Sequence, residues 1–273
     1  APSVQHRLKV IIDSKNLVLE NVYNQEPLSY DEIMEWCRSQ AEFFKDYICD
    51  VGTLLGAAAG QGKNILFEAQ LGALRDIDYG IYPFTSSSNT IASYAPIGAG
   101  IPGCALDNVV GVMKAYSTCV GEGPFAAEKA MGEAWNEKLR ESGGEFGAAT
   151  GRPRRVGPFD AVASRYGIRC QKAQDIALTK LDVLGAFDKI PVITGYRLHG
   201  VLLDSFPTDS RLEEAEPVIE ELPGWGCDIS GCRSWKDLPE NARKYVCTLE
   251  KLVDHPIYLV STGAERDAYL LRE

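Results

Sequence analysis

Residues 176–182, Ile-Ala-Leu-Thr-Lys-Leu-Asp, decide the fold of this chain, because a short apolar run that ends in polar residues is typical of a buried strand. A helical pattern over residues 159–166 precedes it. Two further strand-like runs lie at 192–198 and 257–260, and apolar residues recur at helical spacing over 242–253 between them. Since helices and strands alternate, we predict an α/β fold with a predominantly parallel central sheet flanked by helices.

The N-terminal part of the sequence predicts one helix and one strand before a long loop. A capping box that begins at Ser29 opens a stretch of apolar residues at helical intervals, which predicts one long helix over 31–55 with one buried face. Residues 64–68, Asn-Ile-Leu-Phe-Glu, predict a short buried strand. Residues 76–103 and 143–158 predict long loops, and ordered loops of that length usually carry function.

Composition and charge exclude several classes of protein. The chain has 273 residues, of which 45% are hydrophobic and 24% charged, and no window approaches the roughly 20 apolar residues of a membrane-spanning helix. The net charge of −10 disfavours nucleic acid as a partner. Eight cysteines without a C-x-x-C pair predict reduced, cytoplasmic thiols, and three widely separated histidines argue against a zinc site. We predict a single domain over residues 1–273, and we expect the chain to have been cut from something longer.

Two strand ends carry the sharpest functional pattern. Residues 179–182 (TKLD) follow one predicted strand and residues 261–263 (STG) follow another, at positions where α/β sheets bind ligands. The Asp182 carboxylate fits the N1–H and the exocyclic amine of guanine, and each hydrogen bond to a charged group contributes about 1.5–3 kcal/mol. The Lys180 stem then covers the base, and backbone N–H groups after Ser261 approach the guanine O6. The alternative is a surface ion pair between Lys180 and Asp182, worth about 0–1 kcal/mol.

A second candidate binding site, for an anion, is a glycine-rich loop with three arginines. Residues 147–155 contain Arg152, Arg154 and Arg155 just before a predicted helix N-terminus, which favours an anion site over a solvated basic turn. A phosphate-binding loop is not predicted at 57–64, because that segment lacks the first glycine and the metal-binding hydroxyl of the pattern.

Two polar segments leave their function open. The row of hydroxyl and amide groups over 85–90, which includes Ser86, suits a phosphate, but such rows more often cap helices and fill turns. Asp76 and Asp78 form a candidate acid/base pair, and the commoner role of such loop carboxylates is to accept hydrogen bonds from backbone amides.

Taken together and in order, the motifs of this chain resemble those of the adenylosuccinate synthetase family over nearly its whole length. They are DIDYGIYPF (76–84), SSNT (87–90), KAYST (114–118), GPF (123–125), EFG (145–147), TGR (150–152), TKLDVL (179–184), LPGW (222–225) and STG (261–263). The resemblance covers roughly the C-terminal three-fifths of that enzyme. It implies a partial GTPase-like nucleotide ligase fold, GTP-dependent ligation of L-aspartate to IMP, a Mg²⁺ requirement, and a cytoplasmic homodimer.

The resemblance also assigns site residues. It implies a GTP site at Arg154, Lys180, Leu181, Asp182, Ser261, Thr262 and Gly263. It implies an aspartate-binding loop formed by Ala148, Ala149, Thr150, Gly151, Arg152, Pro153 and Arg154. It implies IMP contacts at Ser86, Val120, Gly121, Arg152 and Gln70. The catalytic Asp and His and the Mg²⁺ ligands of the family match nothing in this chain, so we expect no catalytic residue or metal ligand here and no activity from the chain alone.

Several positions depart from the family pattern. Leu71 stands where the family has an IMP-contacting Gln, with Gln70 one place early; Cys119 replaces an Arg, Ala149 replaces a Thr, and Ala126-Ala127 replaces Pro-Thr. Each change removes a polar contact, and several together are expected to alter substrate binding. Two alternatives therefore stay open: a paralogue or fragment that binds guanine nucleotide or anions without catalysis, and a C–N ligase with a different amino donor.

Overall fold

The computed structural model describes residues 2–203 and 205–272. Contacts along the chain divide it into two compact units, Ala1–Ile65 and Leu66–Glu273. The single domain over 1–273 stays a prediction. Among the described residues, no helix is both long enough and apolar enough to cross a membrane.

The first unit is helical. Its helices are α1 (Pro2–Asn21), α2 (Tyr30–Phe44) and α3 (Val51–Gly60), with a 3₁₀ turn at Lys45–Tyr47. The predicted capping contact forms, because the Ser29 hydroxyl accepts the Glu32 N–H.

The prediction of one long helix with a buried face is wrong. The helix ends at Phe44, and a new one begins after Asp50, whose carboxylate accepts the Thr53 N–H at 3.1 Å and so caps the second helix. None of the described side chains of α2 is buried. The strand predicted at 64–68 is also wrong, since Leu66 is 93% exposed and the segment pairs with none of the described strands.

The second unit carries the remaining elements. Its helices are α4 (Ala95–Gly98), α5 (Ala126–Ala130), α6 (Glu133–Gly143), α7 (Ala161–Gln171), α8 (Arg211–Glu214) and α9 (Glu240–Val253), with 3₁₀ turns at Ala73–Arg75, Ala92–Tyr94 and Asp182–Ala186. Its strands are β1 (Val110–Lys114), β2 (Ser117–Cys119), β3 (Arg155–Gly157), β4 (Phe159–Asp160), β5 (Asp175–Thr179), β6 (Lys189–Leu198), β7 (Val201–Leu202), β8 (Glu216–Pro223), β9 (Leu259–Ser261) and β10 (Tyr269–Leu271).

The central sheet has the strand order β1-β5-β9-β10. β5 pairs in parallel with β1 and with β9, and only β10 runs antiparallel. A second sheet is built on β6, which pairs in parallel with β4 and antiparallel with β7 and β8. The predicted α/β fold is confirmed, and its sheets are mixed rather than predominantly parallel throughout.

The core lies between the central sheet and the helices that flank it. Helix α9 buries Ala242, Tyr245, Val246, Leu249 and Val253, the face that the helical spacing predicts. The Tyr245 hydroxyl donates to the Ala115 carbonyl at 2.6 Å, just after β1 ends. Helix α9 therefore fixes the edge of the sheet at which the candidate site lies.

Candidate functional site

The candidate site lies at the carboxyl edge of the three parallel strands. Thr179 at the end of β5 pairs with Lys114 at the end of β1, and Leu178 pairs with Val260 of β9. The segments 179–182 and 261–263, which lie far apart in the sequence, therefore emerge side by side. Ligands of α/β sheets bind at such an edge.

Lys180 and Asp182 do not form the surface ion pair that was the alternative interpretation. The Lys180 backbone has a φ of +61°, which is uncommon for a residue with a side chain, and its Nζ donates to the Gly143 carbonyl at 2.6 Å. Asp182 is half-buried, and burial raises the pKa of its carboxyl, while the charge on nearby Lys180 lowers it. Backbone N–H groups of Asp182 and Val183 also lower this pKa, and among the described residues no side chain donates a hydrogen bond to the carboxylate.

The other candidate GTP residues differ in what they can offer a ligand. Leu181 is fully buried in the core, so its side chain is not a contact surface. Thr262 is also buried, with its hydroxyl donating to Cys232 and its N–H donating to Ala268 at 2.8 Å. The Ser261 hydroxyl donates to the Gly263 carbonyl at 2.9 Å. Within residues 2–203 and 205–272, the N–H groups of Gly263, Ala264 and Glu265 have no acceptor, so the backbone of this turn keeps donors for a ligand.

A buried carboxylate that the sequence reasoning assigned no role lies beside these residues. Glu145 is fully buried, and its Oε1 accepts the Lys114 ammonium at 2.8 Å and the Tyr116 hydroxyl at 2.7 Å. Its Oε2 accepts Arg154 Nη1 at 2.9 Å, and Lys180 Nζ lies 3.7 Å from Oε1. The only signal in the sequence was its place in the EFG motif (145–147).

The charges around Glu145 favour an anion. Burial alone would raise the pKa of Glu145, but the hydrogen bonds from Lys114 and Tyr116 and the nearby positive charges outweigh burial and hold the pKa below its usual value. One carboxylate, Glu145, thus stands against the three cations Lys114, Arg154 and Lys180, so these four side chains together carry a net positive charge. Phosphate and carboxylate groups are the ligands that such a cluster binds.

The glycine-rich loop closes on itself next to this cluster. The Gly147 N–H donates to the Arg152 carbonyl at 2.8 Å, and the Gly151 N–H donates to the Gly147 carbonyl at 2.8 Å. Residues 148–153, which include Ala148, Ala149, Thr150 and Pro153, are exposed. The loop presents Arg152 to solvent and turns Arg154 inward to Glu145.

Two parts of the predicted anion site are wrong. Arg155 does not belong to it, because its guanidinium pairs with Glu128, with Nη2 2.7 Å from Oε2. The N-terminus of α7 is not open to an anion either, because the buried Asp160 carboxylate already caps it through the Ala163 N–H at 2.9 Å.

The remaining candidate residues lie in two segments. The Ser86 hydroxyl donates to the Ser88 carbonyl at 3.1 Å and is half-buried. Gly121 has a φ of +88° in a turn after β2, beside the exposed Val120. Gln70 is exposed, and Leu71 next to it has a φ of +78°.

Asp76 follows the commoner of its two predicted roles. It is fully buried, and its carboxylate accepts the N–H groups of Asp78 and Tyr79 at 2.9 and 3.0 Å, and that of Thr90. These bonds outweigh burial and lower the pKa of Asp76, so the carboxylate organises the loop.

The comparisons with known proteins agree on one family. A sequence profile described as Adenylosuccinate synthetase matches residues 1–270. The chain belongs to the adenylosuccinate synthetase family. An adenylosuccinate synthetase from Trichlorobacter lovleyi is 47% identical over 97% of this chain and 61% of its own length, and one from Pelotomaculum thermopropionicum is 45% identical over 94% and 60%. The chain thus spans about three-fifths of the curated relatives it matches.

A solved structure of the adenylosuccinate synthetase family has the same fold. The fully ligated enzyme from Plasmodium falciparum matches with a TM-score of 0.90 at 33% identity, over 99% of this chain and 63% of that one. The α/β architecture is therefore that of the adenylosuccinate synthetase family.

Two departures from the family motifs have visible physical consequences. Ala126 and Ala127 are buried. A Cβ on Gly157 would lie 2.1 Å from the Ala127 carbonyl oxygen, so the backbones of α5 and β3 are in direct contact here. The thiol of Cys119 lies 2.8 Å from Nη2 of Arg75, so a guanidinium from another segment stands beside this position.

The described residues do not form a metal site. No group of three or more His, Cys, Asp or Glu side chains among them could hold an ion. The cations around Glu145 also oppose a divalent metal, so these residues do not fit Mg²⁺.

Proposed function

We propose that this chain forms the C-terminal part of an enzyme that uses GTP to join L-aspartate to IMP. GTP transfers its γ-phosphoryl group to the 6-oxygen of IMP, and the aspartate amino group then displaces phosphate, giving adenylosuccinate, GDP and inorganic phosphate. Phosphorylation is needed because a lactam oxygen is a poor leaving group. The family membership and the cationic cluster around Glu145, at the ends of β1 and β5, carry this proposal.

The guanine base of GTP is assigned to the ends of β5 and β9. Asp182 accepts the N1–H and the amine of guanine, the Lys180 stem covers the base, and the Gly263 N–H donates to O6. Leu181, Ser261 and Thr262 shape this pocket through their backbone, since Leu181 and Thr262 are buried. An adenine ring lacks the paired donors that Asp182 requires.

Aspartate is assigned to the loop 148–154. Its carboxylates pair with Arg152 and Arg154, and Arg154 also reaches GTP. The contact between Arg154 and Glu145 at 2.9 Å supports this, because it fixes one arginine of the loop beside Lys180. Since Ala149 supplies no hydroxyl, a ligase with a different amino donor is the second candidate.

IMP is assigned to Ser86, Val120, Gly121, Arg152 and Gln70. Ser86 is assigned to the neighbourhood of its phosphate, Arg152 to its ribose, and the turn at Val120 and Gly121 to a position beside the nucleotide. Mg²⁺ would neutralise the phosphates of GTP, and its ligands are expected outside the described residues. We also propose a homodimer in the cytoplasm for the whole protein.

Binding to the chain itself tests the subsites. Isothermal titration calorimetry with GDP, ADP, IMP and aspartate should give GDP binding and at least about tenfold weaker ADP binding, which is a difference of about 1.4 kcal/mol. Equal affinity for GDP and ADP would refute the guanine assignment.

A chimera tests the reaction and its amino donor. Replacing the matching region of the Trichlorobacter lovleyi relative with this chain should give phosphate release with GTP, IMP and Mg²⁺ that depends on aspartate. Turnover with another amino acid instead would favour the second candidate, whereas nucleotide binding without any turnover would favour a binding-only paralogue.

A further inference from the structure

The turn after β2 is held by two arginines from different parts of the chain. We define the 119–123 turn as Cys119, Val120, Gly121, Glu122 and Gly123. Four successive carbonyl oxygens of this turn accept hydrogen bonds from guanidinium groups. In the part of the chain that the structure describes, no other segment has side-chain donors on four consecutive carbonyls.

The two guanidinium groups bind alternate carbonyls. Arg75 donates from Nη2 to Val120 at 3.0 Å and from Nη1 to Glu122 at 2.9 Å. Arg155 donates from Nη1 to Gly121 at 3.3 Å and to Gly123 at 2.8 Å. The turn is therefore held by two guanidinium groups, and we call Arg75 and Arg155 together the arginine clamp.

Both arginines are themselves anchored. Arg155 pairs with Glu128 through Nε and Nη2, at 2.8 and 2.7 Å. Arg75 ends the 3₁₀ turn Ala73–Arg75 and also donates to the Phe84 carbonyl and to the Cys119 thiol. The four N–H bonds on the two Nη atoms of Arg75 match these four acceptors, so they are not available to a substrate.

We propose that Arg75 and Arg155 are positioning residues that hold the 119–123 turn in the geometry with which Val120 and Gly121 contact the nucleotide. The inference rests on the proposed function, because the IMP contact belongs to it. The turn needs such a clamp, since Gly121 and Gly123 have φ values of +88° and +107° and glycine restricts the backbone least. The planar guanidinium holds its donors in a fixed fork that matches two alternate carbonyls, whereas the compact ammonium of a lysine on its flexible stem does not reproduce that spacing.

The experiment uses the chain with Arg75→Lys and Arg155→Lys, which keep the charge. Arg197→Lys is the matched control, because Arg197 is exposed and donates one hydrogen bond to the Gly200 carbonyl in another turn. Calorimetry with IMP and with GDP gives the affinities, and amide hydrogen exchange of residues 119–123 reports the order of the turn.

We expect each clamp variant to bind IMP at least about tenfold more weakly, because at least two hydrogen bonds to the turn are lost, while GDP affinity changes by less than about twofold. Exchange in the turn should speed up in both variants and stay at the wild-type rate in Arg197→Lys.

Three results would overturn the inference. One is unchanged exchange in the turn, and another is an unchanged IMP affinity in both variants. The third is an equal loss of IMP and GDP affinity together with a lower melting temperature, which would indicate a general structural role. A wild-type chain that binds no IMP refutes the proposed function itself, and that failure is distinct from the case in which IMP binds and the clamp variants bind it equally well.

Discussion

Replacing Asp182 with asparagine should change which base the chain binds. The substitution keeps the shape of the side chain and exchanges one carboxylate oxygen for an NH₂ group. The exocyclic amine of guanine then faces the asparagine NH₂ group, which is also a donor. One of the two carboxylate oxygens that accepted hydrogen bonds from guanine is lost. Xanthine carries a carbonyl in place of that amine, so its N1–H and O2 match the asparagine amide.

The position of Asp182 sets the size of this effect. The carboxylate is half-buried after β5, and burial raises its pKa, so it is partly desolvated before a ligand arrives. Each hydrogen bond to a charged group contributes about 1.5–3 kcal/mol, and losing one of two while weakening the other costs about 3 kcal/mol. We therefore expect guanosine nucleotide to bind about 100-fold more weakly.

The assay is competition between guanosine, xanthosine and adenosine diphosphates for the chain, followed by calorimetry. Asp188→Asn is the matched control, since Asp188 is exposed and lies in the same segment of the sequence. The pH dependence gives a second readout: because guanine needs the carboxylate, GDP affinity of the wild type should fall as the pH drops through the raised pKa of Asp182, whereas the variant should lack that fall.

One result would refute this reasoning directly. If Asp182→Asn binds GDP as tightly as the wild type and gains nothing for xanthosine diphosphate, the carboxylate does not contact the base. A loss of every nucleotide together with a lower melting temperature would instead mean that Asp182 supports the strand end.

Three further predictions concern the free energy of unfolding, measured with urea. Glu145→Gln should cost about 2–3 kcal/mol, because it leaves partly buried cations without their carboxylate, and a cost within about 0.5 kcal/mol would contradict this. Asp160→Asn should become less destabilising, or more stabilising, relative to the wild type as the pH rises from about 4 to 7. Burial raises the pKa of Asp160 in the folded chain to about 6 from its ordinary 3.8, so ionisation of the wild-type carboxyl costs about 3 kcal/mol of stability at pH 7. A difference between variant and wild type that does not change with pH would refute this. Gly157→Ala should destabilise the chain by at least about 1–3 kcal/mol, because its Cβ would lie 2.1 Å from the Ala127 carbonyl oxygen. An unchanged free energy of unfolding would contradict this, because it would mean that the backbones at Gly157 and Ala127 move apart without cost.

Elements that sequence patterns define locally were predicted well. The spacing of apolar residues identified α9, and the polar endings of apolar runs located β5 and β9. These patterns depend on which face of an element is buried, and that information lies within each element. The same reasoning failed at 64–68, because a strand also needs a partner, and no local pattern says whether one is present.

The parts of the candidate site that the sequence reasoning missed are contacts between distant residues. Glu145 meets Lys114 across 31 positions and Arg75 meets Val120 across 45, and neither pair has a spacing that a local rule detects. The helix start at Asp50 was missed for a different reason. Asp is a favoured N-cap residue, but the helical periodicity of apolar residues continues over 31–55 and concealed the break between the two helices.

The alternation of side chains along an extended chain would have improved the prediction of one anion site for the three arginines of the glycine-rich loop. Their proximity in sequence suggested one anion site, yet Arg154 pairs with Glu145 and Arg155 with Glu128. The chain becomes extended here as β3 begins at Arg155, and successive side chains of an extended chain point to opposite faces. Adjacent arginines in such a segment therefore point to different partners, and this alternation alone argues against a single anion site for Arg154 and Arg155. The same alternation sends Arg155 to the 119–123 turn, so one short basic segment serves both the loop assigned to aspartate and the clamp on the turn assigned to IMP.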